Sequence, residues 1–437
     1  MTTSPRSAAL PDSSPDVDLD LVLFGATGFV GRLVAEHLVE QEAHTSPPLR
    51  IGLAGRSRRR LEQIRAALPE RASGWELVVA DSGDAASLAA LAGRARVVVS
   101  TVGPYLRHGI PLVEACVAAG TDYVDLTGEV LFVRQLVDRF HEAARGSGAR
   151  IVVSGGFDSV PSDLAVHLLH RQVQQDGAGG LTDTTLRVGR VRGGVSGGTV
   201  DSLRQQLDQV RADPSLRRVL SDPEALSGGI PGAPGQRDVW TPFVEQGTGG
   251  WVAPFVMATY NTRVVRRSNA LRDRAYGRGF RYREVVPTGR GVRGRVRATA
   301  VTAALGGLVA AMSTPGLRSL VDRLLPTPGT GPSRERRAAG FFEVRTVTLA
   351  EDGSRYAAVV AAQGDPGYAA TSVMLGQAGL ALACDGGRLC ADGGILTPAV
   401  AMGDVLVERL RAQGFTLTVG RVDGGGSAGG DAGAQGA

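Results

Sequence analysis

Residues 21–31 read LVLFGATGFVG. Four apolar residues, Leu21 to Phe24, run directly into Gly25, and Gly28 and Gly31 follow at three-residue steps. A helical pattern begins at Phe29. Strand, glycine turn and helix N-terminus in this order make a dinucleotide-phosphate site. Gly25 permits the tight turn. Gly28 removes the side chain where a pyrophosphate approaches the backbone, and Gly31 lets the helix sit close to the strand. The unpaired N–H groups of the first turn, Phe29 and Val30 included, then face the phosphates at the positive end of the helix dipole. The spacing is G-x-x-G-x-x-G, a variant common in extended reductase-type Rossmann domains.

The surrounding sequence repeats the pattern. Strand-like runs cover 19–24, 49–54, 75–80, 96–101, 122–125 and 150–154. Helical patterns lie between them at 29–40, 57–68, 84–92, 110–119 and 130–147. Such alternation predicts an α/β fold with a Rossmann-type doubly wound parallel sheet, its ligand at the carboxyl ends of the strands. The loops at those ends hold the site candidates. The second strand ends in L-A-G-R-S, residues 53–57. NAD enzymes usually place an acidic residue there; Arg56 stands there instead, followed by Ser57. A guanidinium binds a 2′-phosphate bidentately, so the site reads as NADP(H). The alternative is a solvated basic helix start, and Arg58–Arg60 stay open between the two. Asp81 and Ser82 follow the third strand, where topology puts the adenine. The fourth strand leads into S-T-V-G-P-Y, residues 100–105. Thr101, Gly103 and Pro104 are cofactor-binding candidates along the path to the nicotinamide. Tyr105, His108 and Asp158 are the catalytic candidates, as donors of a proton. Asp125, Thr127, Glu129, Ser159 and Asp163 fall at neighbouring strand ends, with helix capping as the alternative for Asp158 and Ser159.

After residue 160 the pattern changes. A helix over 162–175 leads to strand-like runs at 184–191, 280–286, 341–349 and 356–363, with a helical stretch at 200–211 and long loops at 213–250. This mixture predicts a second, α+β domain. Residues 298–312 are about fifteen apolar or small residues, short of the ~20 needed to span a bilayer. A buried core helix, an interfacial helix and a true span remain open there. Residues 326–340 read as a mobile segment. Thr397 and Pro398 mark the start of a closing helix over 398–413, with Gly414 at its end. The expected organisation is a disordered leader (1–18), an NADP-binding Rossmann domain (19–160), an α+β substrate or dimerisation domain (161–392), a C-terminal helix and strand returning to the Rossmann domain (393–421), and a disordered tail (422–437).

Composition narrows the function classes. The 437 residues suffice for two or three domains. Hydrophobic and charged contents of 43% and 21% suit a globular protein, and the net charge of +5 lacks an aromatic-interleaved basic stripe, which argues against nucleic acid. All 48 basic residues are Arg. Codon bias explains that, but the consequence is chemical: a Schiff-base lysine and the Tyr-x-x-x-Lys pair of short-chain dehydrogenases are both excluded. Three cysteines, without C-x-x-C spacing or a histidine cluster, fit a reducing cytoplasm and no metal.

Taken together, G-A-T-G-F-V-G, L-A-G-R-S, V-G-P-Y, A-G-T-D-Y-V-D-L-T-G-E, G-F-D-S-V-P-S-D, S-G-G-T and G-G-I-L-T-P-A-V-A-M-G resemble the saccharopine dehydrogenase-like oxidoreductases. Within them the sequence is most similar to the actinobacterial trans-acting enoyl reductases of lipid and glycolipid synthesis, over roughly residues 19–420. The resemblance implies NADPH, an unsaturated lipid intermediate, and cofactor roles for Gly25, Thr27, Gly28, Gly31 and Arg56. It also implies peripheral membrane contact, which the run at 298–312 suits. The partners expected are a hydrophobic or acyl small molecule, a second copy of the chain, and a membrane surface met through 298–312. Two readings compete with enoyl reduction: a saccharopine-type amino-acid dehydrogenase, which needs buried arginines for carboxylates, and a non-catalytic membrane-associated NADP-binding protein.

Overall fold

Side-chain alternation in the first strand sets the architecture. In the computed structural model, Leu21 and Leu23 enter one apolar core while Val22 and Phe24 enter another on the opposite face. A strand buried on both faces needs helices on both sides, as a doubly wound sheet provides. The structure describes residues 17–422, apart from 46, 195, 315, 318–328 and 330. β1 (Leu21–Phe24), β2 (Ile51–Gly55), β3 (Glu76–Val79), β4 (Val97–Ser100), β5 (Asp122–Val124) and β6 (Arg150–Val152) pair in parallel in the order β6-β5-β4-β1-β2-β3. Between them run the helices Phe29–Glu42, Arg58–Ala67, Ala85–Arg94, Ile110–Ala119 and Val130–Ser147. The switch in strand order falls between β1 and β4, so their carboxyl ends open the crevice for a dinucleotide.

A second sheet of seven strands follows: β7 (Leu181–Arg192), β8 (Phe243–Val244), β9 (Trp251–Pro254), β10 (Arg281–Gly289), β11 (Phe341–Ala350), β12 (Arg355–Gln363) and β14 (Thr416–Arg421), after β13 (Gly394–Leu396). Its order is β14-β12-β11-β7-β10-β9-β8, antiparallel except for β7 beside β10. Along β11 and β12 every second residue is buried, from Phe342 to Ala350 and from Tyr356 to Ala362. The helix Val160–Gln175 covers that face.

Several expectations change here. The helix Thr371–Cys384, placed by sequence in the second domain, packs instead on the first sheet, against the helix Phe29–Glu42 and strands β4 and β5. Twelve of its fourteen residues are buried. Burying each large apolar side chain such as Leu375 or Leu380 contributes about 1.5–3 kcal/mol, and Gly379 lets it reach Val99 and Leu21. The C-terminal return is split: β13 adds to β6 in the first sheet, whereas β14 pairs with β12 in the second. One core therefore runs from the first sheet through both helices into the second. The closing helix breaks into Pro398–Ala401 and Gly403–Ala412, where Gly403 takes φ +41°. Asp18, assigned to the leader, donates its N–H to the Arg94 carbonyl at 3.2 Å. Apart from residues 17, 18 and 422, the expected leader and tail lie outside the described residues. The segment expected to be mobile is described at 329 and 331–340, where Arg334–Ala338 is helical and Gly340 accepts from the Gly364 N–H at 2.8 Å.

Candidate active site

The glycine turn is built by close backbone contact. Gly25 takes φ +95°, a region that favours glycine. Its N–H donates to the Ala54 carbonyl and its own carbonyl accepts from Gly28 N–H, both at 2.9 Å. Thr101 Oγ1 also donates to the Gly25 carbonyl at 3.2 Å, tying the β4 loop to the turn. A Cβ on Gly31 would lie 2.2 Å from that carbonyl oxygen, so only glycine lets the helix approach this far. The helix Phe29–Glu42 has neither a side-chain cap nor an acid in its first turn. Its first amides are left for an anionic ligand. Arg56 is exposed at the end of β2, while Arg58 pairs with Glu62 at 3.3 Å. These features fit the pyrophosphate and 2′-phosphate of NADP(H).

One cavity of about 710 Å³ runs from this turn towards the second sheet. Of the cofactor candidates, Gly28, Phe29, Val30, Gly31, Thr101, Gly103 and Pro104 line it. Gly25, Thr27, Arg56, Ser57 and Asp81 do not. Gly25 shapes the turn. Thr27 lies under Gly55, whose Cβ would meet its methyl at 3.8 Å. Ser57 Oγ accepts from Arg60 N–H at 3.4 Å as a helix cap, and Asp81 accepts from Gly83 N–H at 2.8 Å in a local turn.

The far part of the cavity is a chamber of mostly apolar side chains. The helices Gly197–Ala212 and Gly291–Ser313 supply Leu203, Leu207, Leu305 and Val309, and the loop after β9 supplies Phe255 and Met257. The helix Gly291–Ser313 resolves one open question: it is not a core helix, since only Gly294, Ala298 and Met312 are buried. Its face at 298, 302, 305, 309 and 312 turns inward to the chamber or its edge. Its other face is exposed.

The three catalytic candidates separate. Asp158 lines the chamber beside Gly128 and Met257. Burial pushes its carboxyl up from 3.8 to about 6, so it carries a proton for part of the neutral range. Tyr105 also lines the cavity, but its hydroxyl donates to the Ser100 carbonyl at 3.0 Å and accepts from Leu126 N–H at 3.4 Å. It holds the β4 loop. His108 is outside the chamber: Nδ1 lies 3.3 Å from Ser82 Oγ, towards Asp81 and Arg56. Burial first, then Arg107 and Arg56, lower its pKa. That places His108 beside Ser82 and Asp81 and away from Asp158.

The remaining carboxylates hold the frame. Glu129 accepts from Tyr105 N–H at 2.9 Å, Leu106 N–H at 2.8 Å and Ser202 Oγ at 2.6 Å. Asp125 accepts from Ser154 N–H, Thr127 N–H and the Tyr123 hydroxyl, and burial raises it to about 7. Asp163 accepts from Ser268 Oγ and Ala399 N–H, fastening the C-terminal return. Tyr260, in the first turn of the helix Ala258–Leu271, also lines the chamber. Sequence reading missed it, because that helix mixes buried arginines with apolar residues and hides its period. Arg263, Arg266 and Arg267 of the same helix are buried, but they bond to Asp238 and to main-chain carbonyls, and none lines the cavity.

A "Putative trans-acting enoyl reductase" of Mycobacterium tuberculosis is 47% identical over 97% of this chain and 100% of its own length. The chain belongs to the trans-acting enoyl reductase family. Family members from Mycobacterium bovis and Mycobacterium ulcerans are 43% and 42% identical, over 93% and 94% of this chain and 98% and 100% of theirs. The saccharopine dehydrogenase NADP binding domain matches residues 21–152. An apo saccharopine dehydrogenase (L-Glu forming) from Saccharomyces cerevisiae superposes with a TM-score of 0.50 at 13% identity, covering 92% of this chain and 99% of that one, and so shares the fold. The protein is an NADP(H)-dependent oxidoreductase of this family. Its glycine turn and Arg56 stand in the domain those matches share.

Proposed function

We propose that the protein uses NADPH to reduce a carbon–carbon double bond conjugated to a carbonyl in a hydrophobic acyl or polyketide-derived intermediate of lipid synthesis. The observation that carries this is the chamber: mostly apolar, with no arginine among the described residues that line it, continuous with the glycine turn, and holding the Asp158 carboxyl. An amino-dicarboxylate would need cationic side chains in that space, and the buried arginines are committed elsewhere. When bound, NADPH supplies a hydride to the β-carbon. The apolar walls exclude water and orient the acyl chain along the chamber. Asp158, protonated below about pH 6, gives its proton to the α-carbon and regains one from solvent.

The helix Gly291–Ser313 supports a membrane-adjacent working position for this otherwise cytoplasmic reaction. It reaches a mean hydropathy of 1.4 and is long enough to cross a bilayer, yet its inward face belongs to the chamber. Its outer face presents Val292, Val296 and Ala303, and Arg290, Arg293, Arg295 and Arg297 flank its start. That is the pattern of a helix lying on an anionic interface, through which a lipid would reach the chamber. The activity test is NADPH oxidation with long-chain 2-enoyl thioesters, with product masses read for addition of two hydrogens. No turnover across chain lengths refutes the reading. Flotation with anionic vesicles, compared with Val296→Asp/Ala303→Asp, tests the surface; equal flotation refutes it.

A further inference from the structure

We propose that Tyr260 donates a hydrogen bond to the substrate's carbonyl oxygen during reduction, and that Ser154 holds it in place for that role. The inference rests on the enoyl-reduction reading and adds a residue to it. Three tyrosines line the cavity: Tyr105, Tyr260 and Tyr368. Tyr105 is committed to backbone groups, as described above. Tyr368 accepts from Gly197 N–H at 3.1 Å, which helps fix the start of the chamber helix. Tyr260 bonds to another hydroxyl, Ser154 Oγ. Either oxygen can be the donor in that pair. When Ser154 donates, the phenolic hydrogen is free to turn to a ligand, and the incoming bond strengthens it as a donor.

Ser154 is itself held in an uncommon state. Its φ is +67°, one of three positive values at non-glycine residues in the described chain. Such a conformation is strained and persists where surrounding bonds fix it. Here its N–H donates to Asp125 at 2.9 Å, at the carboxyl end of β6. Ser154 is buried and does not line the cavity, so it acts through Tyr260 and is a positioning residue. Burial, with the Asp125, Asp158 and Glu129 carboxylates nearby, keeps the Tyr260 phenol protonated. Tyr260, its phenol neutral, thus lines the same chamber as the Asp158 acid.

Hydride arrives at the β-carbon with its electron pair. The C=C π electrons form a double bond between the α-carbon and the carbonyl carbon, and the carbonyl oxygen takes up the charge. Tyr260 donates a hydrogen bond to that oxygen and keeps its proton. When the carbonyl re-forms, the α-carbon takes the proton of Asp158. A donor of this kind is worth roughly 10²–10³ in rate.

The test compares the wild-type chain, Tyr260→Phe and Ser154→Ala. It uses NADPH turnover of a 2-enoyl thioester, NADPH fluorescence titration, thermal unfolding, and the infrared carbonyl stretch of a bound ¹³C=O saturated thioester. In Tyr260→Phe, kcat falls roughly 10²–10³-fold while NADPH affinity stays as in wild type. The bound carbonyl stretch, shifted down in wild type, returns to its free value. In Ser154→Ala both effects are smaller. Wild-type kcat and stretch in a folded Tyr260→Phe overturn the inference and leave the enoyl reading standing. An unshifted stretch in wild type overturns it too. A shifted stretch that disappears in Tyr260→Phe, in a protein that reduces no enoyl thioester, refutes the reaction and supports the contact.

Discussion

Gly31→Ala and Gly28→Ala each add one methyl at positions three residues apart, but only the first should cost stability as well as cofactor affinity. At Gly31 the new Cβ would stand 2.2 Å from the Gly25 carbonyl oxygen, 2.9 Å from its carbon and 3.0 Å from Ala26 Cα. Ordinary contact begins at 3.4 Å. The neighbours are backbone atoms and cannot rotate aside, so the helix must retreat by about 1 Å in a close-packed layer. Overpacking of that kind costs about 3 kcal/mol, the upper end of the usual range, or roughly 3 °C in Tm for a chain of this length. NADPH affinity falls with it, because the helix N-terminus moves. At Gly28 the Cβ would meet only the Gly25 oxygen, at 3.3 Å, and φ is −75°, which alanine accepts. Stability should change by less than about 1 kcal/mol. The methyl instead projects into the cavity where the pyrophosphate would lie, so NADPH Kd should rise at least ~30-fold, about 2 kcal/mol. Circular-dichroism melts and NADPH fluorescence titration measure both. Gly31→Ala with a wild-type Tm would refute the packing argument. Gly28→Ala with wild-type NADPH affinity would refute the placement of the phosphates.

Three further outcomes follow from the site. Asp158 titrates near 6 in the fold against 3.8 unfolded, so stability is full below pH 3.8 and falls as pH rises to about 6. Asp158→Asn should abolish most turnover yet raise stability at pH 8 by about 3 kcal/mol, with no gain near pH 3.5; equal gains at both pH values count against the buried carboxyl. Glu129→Ala strips three donors of one acceptor and should cost about 3–5 kcal/mol in urea unfolding; a cost below about 1 kcal/mol would mean the Pro104 loop is held otherwise. Arg56→Ala should weaken NADPH binding about 10–100-fold while leaving NADH unchanged; an equal change in both would remove the 2′-phosphate role.

The glycine turn and the six strands behind it were legible because their determinants are local. An apolar run, three spaced glycines and a helix start lie within eleven residues, and period-2 and period-3.6 patterns need no distant partner. The same holds for Thr397, whose Oγ1 accepts from Val400 N–H at 3.4 Å, and for Pro398 at the first helical position. The helix Thr371–Cys384 was not legible, because burial on all sides leaves no amphipathic stripe. Neither was the destination of β14, since a short strand carries no record of which edge it joins. The catalytic candidates divided for the same reason. Residues 105, 108 and 158 all follow strand ends, but only the packing turns Tyr105 onto the backbone, sends His108 to Ser82 and leaves Asp158 in the chamber. Residues 21–31 thus pointed by themselves to a dinucleotide, and Arg56 to NADP(H). That Asp158 and Tyr260 line one mostly apolar chamber was decided only when segments a hundred residues apart were brought to one cavity. Long-range proximity depends on packing, which has no local period to read.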